Sequence, residues 1–261
     1  MAEGHLEENR SFAEQLGAGL RWLGLHEWVV LLAVALIVGG TWGFLELADV
    51  VQEGDGAGTS FDRQILLGLR EEGDPSDPIG SFLVEEAVRD ITALGSSVII
   101  IFLPIVAAIF LEIQGNRRLA IVVLVSFLGG AVLSLGLKEI FARPRPDLVP
   151  EITRHLNYSF PSGHSMLSAV VYLTLGTVVA EGLRRPALRI FVMLIAVLIT
   201  LAVGFSRVYL AVHWPTDVLA GWTVGAIWAL LVWVVARRVK LSRRERAEAR
   251  SPARERERAP R

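Results

Sequence analysis

Apolar residues along this chain gather into six long blocks: Trp28–Leu45, Ser96–Ile113, Leu119–Leu137, Ser165–Ala180, Leu188–Phe205 and Val218–Ala236. Each is close to the roughly 20 residues an α-helix needs to cross a hydrocarbon layer about 30 Å thick. Apart from Glu112 none carries a charge, and Leu119–Leu137 has only Ser126 and Ser134 among apolar and glycine residues. Buried helices of a soluble bundle would show a polar stripe at helical spacing, and that block has none. The pattern predicts an all-α integral membrane protein, a six-transmembrane-helix bundle.

Between the first two crossings, "FDRQILLGLR" (61–70) and "PIGSFLVEEAVRDITAL" (78–94) carry helical periodicity on either side of the turn-forming "EGDPSD". They predict two short interfacial helices on the outer face, packed on the bundle. Residues 1–26 form a separate N-terminal segment, with Phe12, Leu16, Leu20 and Leu23 at helical spacing. Residues 27–237 make the membrane domain. Residues 238–261 are a basic tail, low in apolar residues and expected to be disordered against anionic head groups. The first block is longer than a signal-peptide core and reads as a retained helix.

Composition agrees, with 52% hydrophobic residues and a mean hydropathy of +0.49. The net charge of −1 says little, because it averages an uneven distribution. Arg117/Arg118, Arg184/Arg185/Arg189 and the residues from Arg237 onward fall on one side of a six-crossing chain, together with both termini. The positive-inside rule makes that side the cytoplasm. Lys138, Arg143, Arg145, Arg154 and Arg207 lie on the other face, where topology gives them no reason to be. There is no cysteine, so no disulfide is possible.

Three stretches on that outer face share one vocabulary: "KEIFARPRP" (138–146), "PSGHS" (161–165) and "SRVYLAVHWPTD" (206–217). Helix ends on one face of a bundle can meet. The pocket they would form holds Lys138, Arg145 and Arg207 as cations, His164 and His213 as bases, and Asp217 as an anion. Three cations suit a phosphoryl group, whose charge spreads over three equatorial oxygens. Ser162 and Gly163 open a helix, where free N–H groups and the dipole favour an anion. His213 and Asp217 lie four apart, so the carboxylate can hold one imidazole nitrogen and free the other to attack. His164 then protonates the departing oxygen and later activates water. Two histidines with separate tasks need no metal.

Taken together, Lys138 with Arg145-Pro146, Pro161-Ser162-Gly163-His164, and Ser206-Arg207 with His213 and Asp217 resemble the signature of the type 2 phosphatidic-acid phosphatase family. The resemblance spans about residues 28–237. It implies His213 as a nucleophile forming a phosphohistidine, Asp217 as its orienter and His164 as general acid. It also implies a phosphate shell of Lys138, Arg145, Ser162, Gly163 and Arg207, with no metal or cofactor. Arg143-Pro144 is a second Arg-Pro pair off the family spacing; Arg143 is expected behind the shell or facing lipid. The expected substrate is a membrane lipid phosphate or pyrophosphate (undecaprenyl pyrophosphate, phosphatidate or phosphatidylglycerophosphate), met in the bilayer at an extracytoplasmic site. No nucleic-acid partner is expected, and the oligomeric state is left open. A lipid phosphotransferase and a non-catalytic phospholipid-binding protein are the alternatives.

Overall fold

A computed structural model of the protein describes residues 25–53, 59–148 and 158–258. The expected N-terminal segment up to residue 24, and Arg154, lie outside the described residues. In chain order the elements are α1 (Leu25–Glu53), α2 (Ser60–Leu67), a two-stranded antiparallel hairpin of β1 (Arg70–Glu71) and β2 (Asp74–Pro78), α3 (Phe82–Ala93), α4 (Ser97–Ile113), α5 (Arg117–Phe141), α6 (Gly163–Gly182), α7 (Pro186–Tyr209) and α8 (Pro215–Arg258).

Among the described residues five helices are long and apolar enough to cross a membrane: Val30–Gln52, Arg117–Phe141, Gly163–Gly182, Pro186–Tyr209 and Pro215–Arg237. The sixth expected crossing, Ser96–Ile113, is α4, whose 17 residues reach about 26 Å at 1.5 Å per residue. The short α3 precedes it across a 44° bend, and the two counted as one bent span bring the described helices to six.

The packing is arranged for lipid outside. Leu36, Val38, Trp42, Val98, Ile113, Val132 and Leu198 are all exposed on the bundle's flanks. The centre instead holds small and hydroxyl side chains, where Ser126 and Thr174 share a 2.8 Å hydrogen bond between α5 and α6. Lipid offers no hydrophobic drive for helices to associate, so close approach and polar contacts must hold them. The central helix is α6, and Gly221 and Gly225 let α8 lie directly on it. A Cβ on Gly225 would stand 2.4 Å from the Met166 carbonyl oxygen, and one on Gly221 2.7 Å from that of Ser162. Beneath the outer end of the bundle, Phe44, Phe141 and Phe160 form an aromatic cluster with centroids 4.9 to 6.0 Å apart.

Past its apolar part α8 stays helical to Arg258. The tail's Arg, Glu and Ala residues are strong helix formers, so a segment too polar to build a core still continues the helix it follows.

Candidate active site

The ends of α5, α6 and α7 and the loop into α8 meet at one end of the bundle, and they bring all eight predicted site residues together. Lys138 sits in the last turn of α5, 8% exposed, and its Nζ donates to the Tyr158 carbonyl at 2.8 Å. A Cβ on Gly163 would lie 3.4 Å from the Lys138 Cε, so glycine at the mouth of α6 leaves that lysine room to reach the centre. His164, one residue on, feels the charges of Arg207, Arg145 and Lys138. Arg207 leaves the last turn of α7 and donates through Nη1 to Thr92 Oγ1 at 3.0 Å. Its Nε is buried with no hydrogen-bond partner. A buried donor left empty is costly, and the same holds for Nε of Arg70 and Arg143.

His213 is 1% exposed at the turn before α8. Its Nδ1 lies 3.3 Å from Asp217 Oδ2, and Arg145 Nη1 donates to its Nε2 at 3.2 Å. Nδ1 therefore carries the ring proton and donates it toward the aspartate, and the Nε2 lone pair faces the cations. Asp217 Oδ2 also accepts from the Trp214 N–H at 3.0 Å, which fixes it at the start of α8. Burial first, and then the charges of Arg145, Arg207, Lys138 and His164, hold the His213 pKa well below the ordinary imidazole value. Without a bound anion the ring is neutral, the form that can attack. Burial likewise lowers the Arg145 pKa, partly opposed by Asp217.

One expectation is corrected at Ser162, whose N–H is not free for an anion. It donates to the Asp217 carbonyl at 2.9 Å and ties the mouths of α6 and α8 together. Its Oγ caps the helix, accepting from the Ser165 hydroxyl at 3.0 Å and from the Ser165 N–H at a long 3.5 Å. Among the described residues nothing accepts from the N–H groups of Gly163 and His164, so these are the donors the helix mouth offers.

Arg143 does not face lipid. It is 2% exposed and bridges two buried carboxylates, with Nη1 2.6 Å from Asp217 Oδ1 and Nη2 2.8 Å from Asp62 Oδ2. Asp62 forms the far side of a network absent from the sequence motifs. It accepts from the Thr216 N–H at 2.9 Å, the Thr216 hydroxyl at 2.8 Å and the Thr59 N–H at 3.1 Å. It also closes a capping box with Thr59 at the start of α2. That helix packs Leu66 against Ala211 and Trp214, flanking His213. The segment between the first two spans thus buttresses the histidine loop. "TSFD" (59–62) is a capping signal in the sequence, but it says nothing of a partner 81 positions on.

A membrane bundle that gathers the buried His213, the half-buried His164 and several cations at one end defines an integral membrane protein with a cationic, histidine-bearing site. The PAP2 superfamily model matches residues 119–240, which contain all three motifs. The chain is 35% identical over 152 residues to phosphatidylglycerophosphatase B of Bacillus subtilis, covering 57% of this chain and 73% of that protein. It is 32% identical over 129 residues to an undecaprenyl-diphosphatase of Sulfolobus acidocaldarius, covering 46% of this chain and 57% of that one. Its structure resembles the transmembrane PAP2 type phosphatidylglycerolphosphate phosphatase of Bacillus subtilis, with a TM-score of 0.64 and 30% identity over 78% of this chain and 96% of that one. The chain belongs to the PAP2 superfamily and is a multi-pass membrane protein of its lipid phosphatase type.

Proposed function

We propose that this protein is a metal-independent hydrolase of lipid phosphates or pyrophosphates, working through a phosphohistidine on His213. The observation that carries the reading is the orientation of His213, with Nδ1 on Asp217 and Nε2 toward Arg145 among Lys138, Arg207 and His164. The substrate's phosphoryl oxygens take donors from Lys138, Arg145, Arg207 and the mouth of α6 at Ser162–Gly163. Ser162 acts there by setting the helix mouth, since its own N–H is engaged. The Nε2 lone pair attacks phosphorus, and the bond to the lipid oxygen breaks. That oxygen takes its proton from His164, and Asp217 stabilises the charge on the His213 ring. Water then attacks the phosphohistidine, gives a proton to His164 and releases inorganic phosphate. Arg118, Arg189 and Arg237 lie at the other end of these helices, and the positive-inside rule supports an extracytoplasmic cup. Phosphatidylglycerophosphate, phosphatidate and undecaprenyl pyrophosphate present the same phosphoryl group there.

The test is phosphate release by the purified full chain in detergent with a chelator present, comparing those three lipids side by side. His213→Ala should abolish release while leaving the thermal midpoint close to that of the parent, and the parent should yield an acid-labile phosphoenzyme. Turnover by His213→Ala near the parental rate refutes the nucleophile. Activity lost with chelator refutes the metal-free mechanism, and phosphate delivered to an added lipid alcohol in preference to water makes the protein a transferase.

A further inference from the structure

The opposite end of the bundle carries a separate two-lobed cavity. The lobes share Thr177, Glu181, Arg189, Ala229, Trp233 and Arg237. One, about 310 Å³, lies against α5 and is walled by Leu119, Val122, Val178 and Val232, with Arg118 also lining it. The other, about 520 Å³, lies against α1 and α7 and is walled by Leu32, Leu36, Leu173, Met193 and Leu230. Both volumes fall in the range of ligand sites. Thr177 is 14 residues along α6 from Gly163, about 21 Å at the helical rise, so nothing bound here reaches His213.

The charges at this end lack carboxylate partners. Among the described residues neither Arg118, Arg189 nor Arg237 has an ion pair, and Glu181 engages none of them. Arg237 lies over the Trp233 ring, 5.1 Å from its centroid, and Arg189 spends Nε on the Leu183 carbonyl at 2.8 Å. Three arginines against one glutamate leave the site cationic. Arginines at a cytoplasmic membrane end commonly just snorkel to water, and snorkelling needs no cavity. Here two lobes adjoin the same residues, the smaller of mixed polarity and the larger a mostly apolar groove open along α1. Basic pockets between helices on this side of a membrane suit lipid head groups.

We propose that this cavity holds a diacyl anionic glycerophospholipid from the leaflet opposite the cup, its phosphate among Arg118, Arg189 and Arg237 at the smaller lobe and its acyl chains along the larger, mostly apolar one. The lipid is a bound component, not a substrate, and its site does not depend on the phosphatase reading. It wedges between α6 and α8, the helices that carry His164 and Asp217 at their far ends, and so braces the pair the cup is built on.

The experiment uses the full chain, delipidated in a neutral detergent. Dioleoyl phosphatidylglycerol should raise the thermal midpoint by several degrees over the same amount of dioleoyl phosphatidylcholine, as expected for a ligand that binds only the folded state. The difference should vanish in Arg189→Gln/Arg237→Gln, whose residues lie outside the cup. A phosphatidylglycerol with a photoreactive acyl chain should cross-link the parent chain within 173–181 and 226–237. Equal shifts from the two lipids, a difference that survives in the double variant, or cross-links confined to the 206–217 segment would overturn the proposal. So would a stable dimer of the delipidated protein that buries this face against a second copy. If the double variant fails to fold, the cross-link map on the parent decides.

Discussion

Replacing Arg143 with methionine tests the buried network most directly. The guanidinium sits 2.6 Å from Asp217 and 2.8 Å from Asp62, and the side chains of all three are at most 1% exposed. Removing one partner of a buried pair typically costs about 3–5 kcal/mol, because an uncompensated charge stays behind. Here two carboxylates are stranded, but both keep other donors. Asp62 retains Thr216 and Thr59, and Asp217 retains the Trp214 N–H and His213. These bonds favour the lower end, about 3 kcal/mol, which at roughly 2–4 °C per kcal/mol for a chain of this size lowers the thermal midpoint by about 6–12 °C. Asp217 also loses the contact that fixes its Oδ1, so turnover should drop on the order of 10²-fold with KM little changed, as expected when a reacting group is misplaced by about 1 Å.

The discriminating variant is the double substitution Asp62→Asn/Arg143→Met. It removes one of the stranded charges, so it should be more stable than the sum of the two single effects by at least about 1 kcal/mol. Its turnover should stay low, since Asp217 is still unheld. Thermal midpoints and phosphate release for the four proteins complete the cycle. An Arg143→Met protein within 1 kcal/mol of the parent, or strictly additive single effects, would refute the pairing.

Gly225→Val should separate α6 from α8, since even a Cβ would stand 2.4 Å from a backbone oxygen; both thermal midpoint and turnover should fall, whereas Gly136→Ala, with nothing within 4 Å of its Cβ, should change neither. Arg207→Lys keeps the charge but loses the forked donors and the empty Nε, so kcat/KM for a lipid phosphate should fall at least about tenfold; parental kinetics would remove Arg207 from the phosphate shell. Because the folded pKa of His213 lies below its unfolded value of about 6.5, the unfolded chain takes up the proton first as the pH falls. Its contribution is full above that value and is lost as acid titrates the unfolded chain, by up to about 1.4 kcal/mol per pH unit. The midpoint of the parent should thus fall more steeply between pH 7 and 5 than that of His213→Gln, and an identical slope would show the ring is not held neutral.

The crossings and the cup were legible for a common reason, which is that a bilayer leaves few ways to place polarity. Backbone groups in lipid must be satisfied within their own helix, so α1, α5, α6, α7 and α8 are written as local apolar runs. A cation on the expected outer face of such a run is out of place for topology, so Lys138, Arg143, Arg145, Arg154 and Arg207 pointed to a site only as a group, together with the histidine motifs. Where this locality ends, so did the reading. The sixth crossing, α4, was legible in the same way, but its 44° bend onto α3 was not, because neither stretch alone sets the angle between them. Asp62, Thr216 and the second role of Arg143 were invisible because each is ordinary in its own stretch. Their meaning arises only when residues 81 and 154 positions apart share one dry site. Ser162 marks the boundary between the two cases. Its hydroxyl cap is local and was foreseeable, whereas its N–H is spent on Asp217, 55 residues away. The cup's donors can be read from sequence, and the struts that aim them cannot, which is why the strongest tests of the reading fall on Arg143 and Asp62.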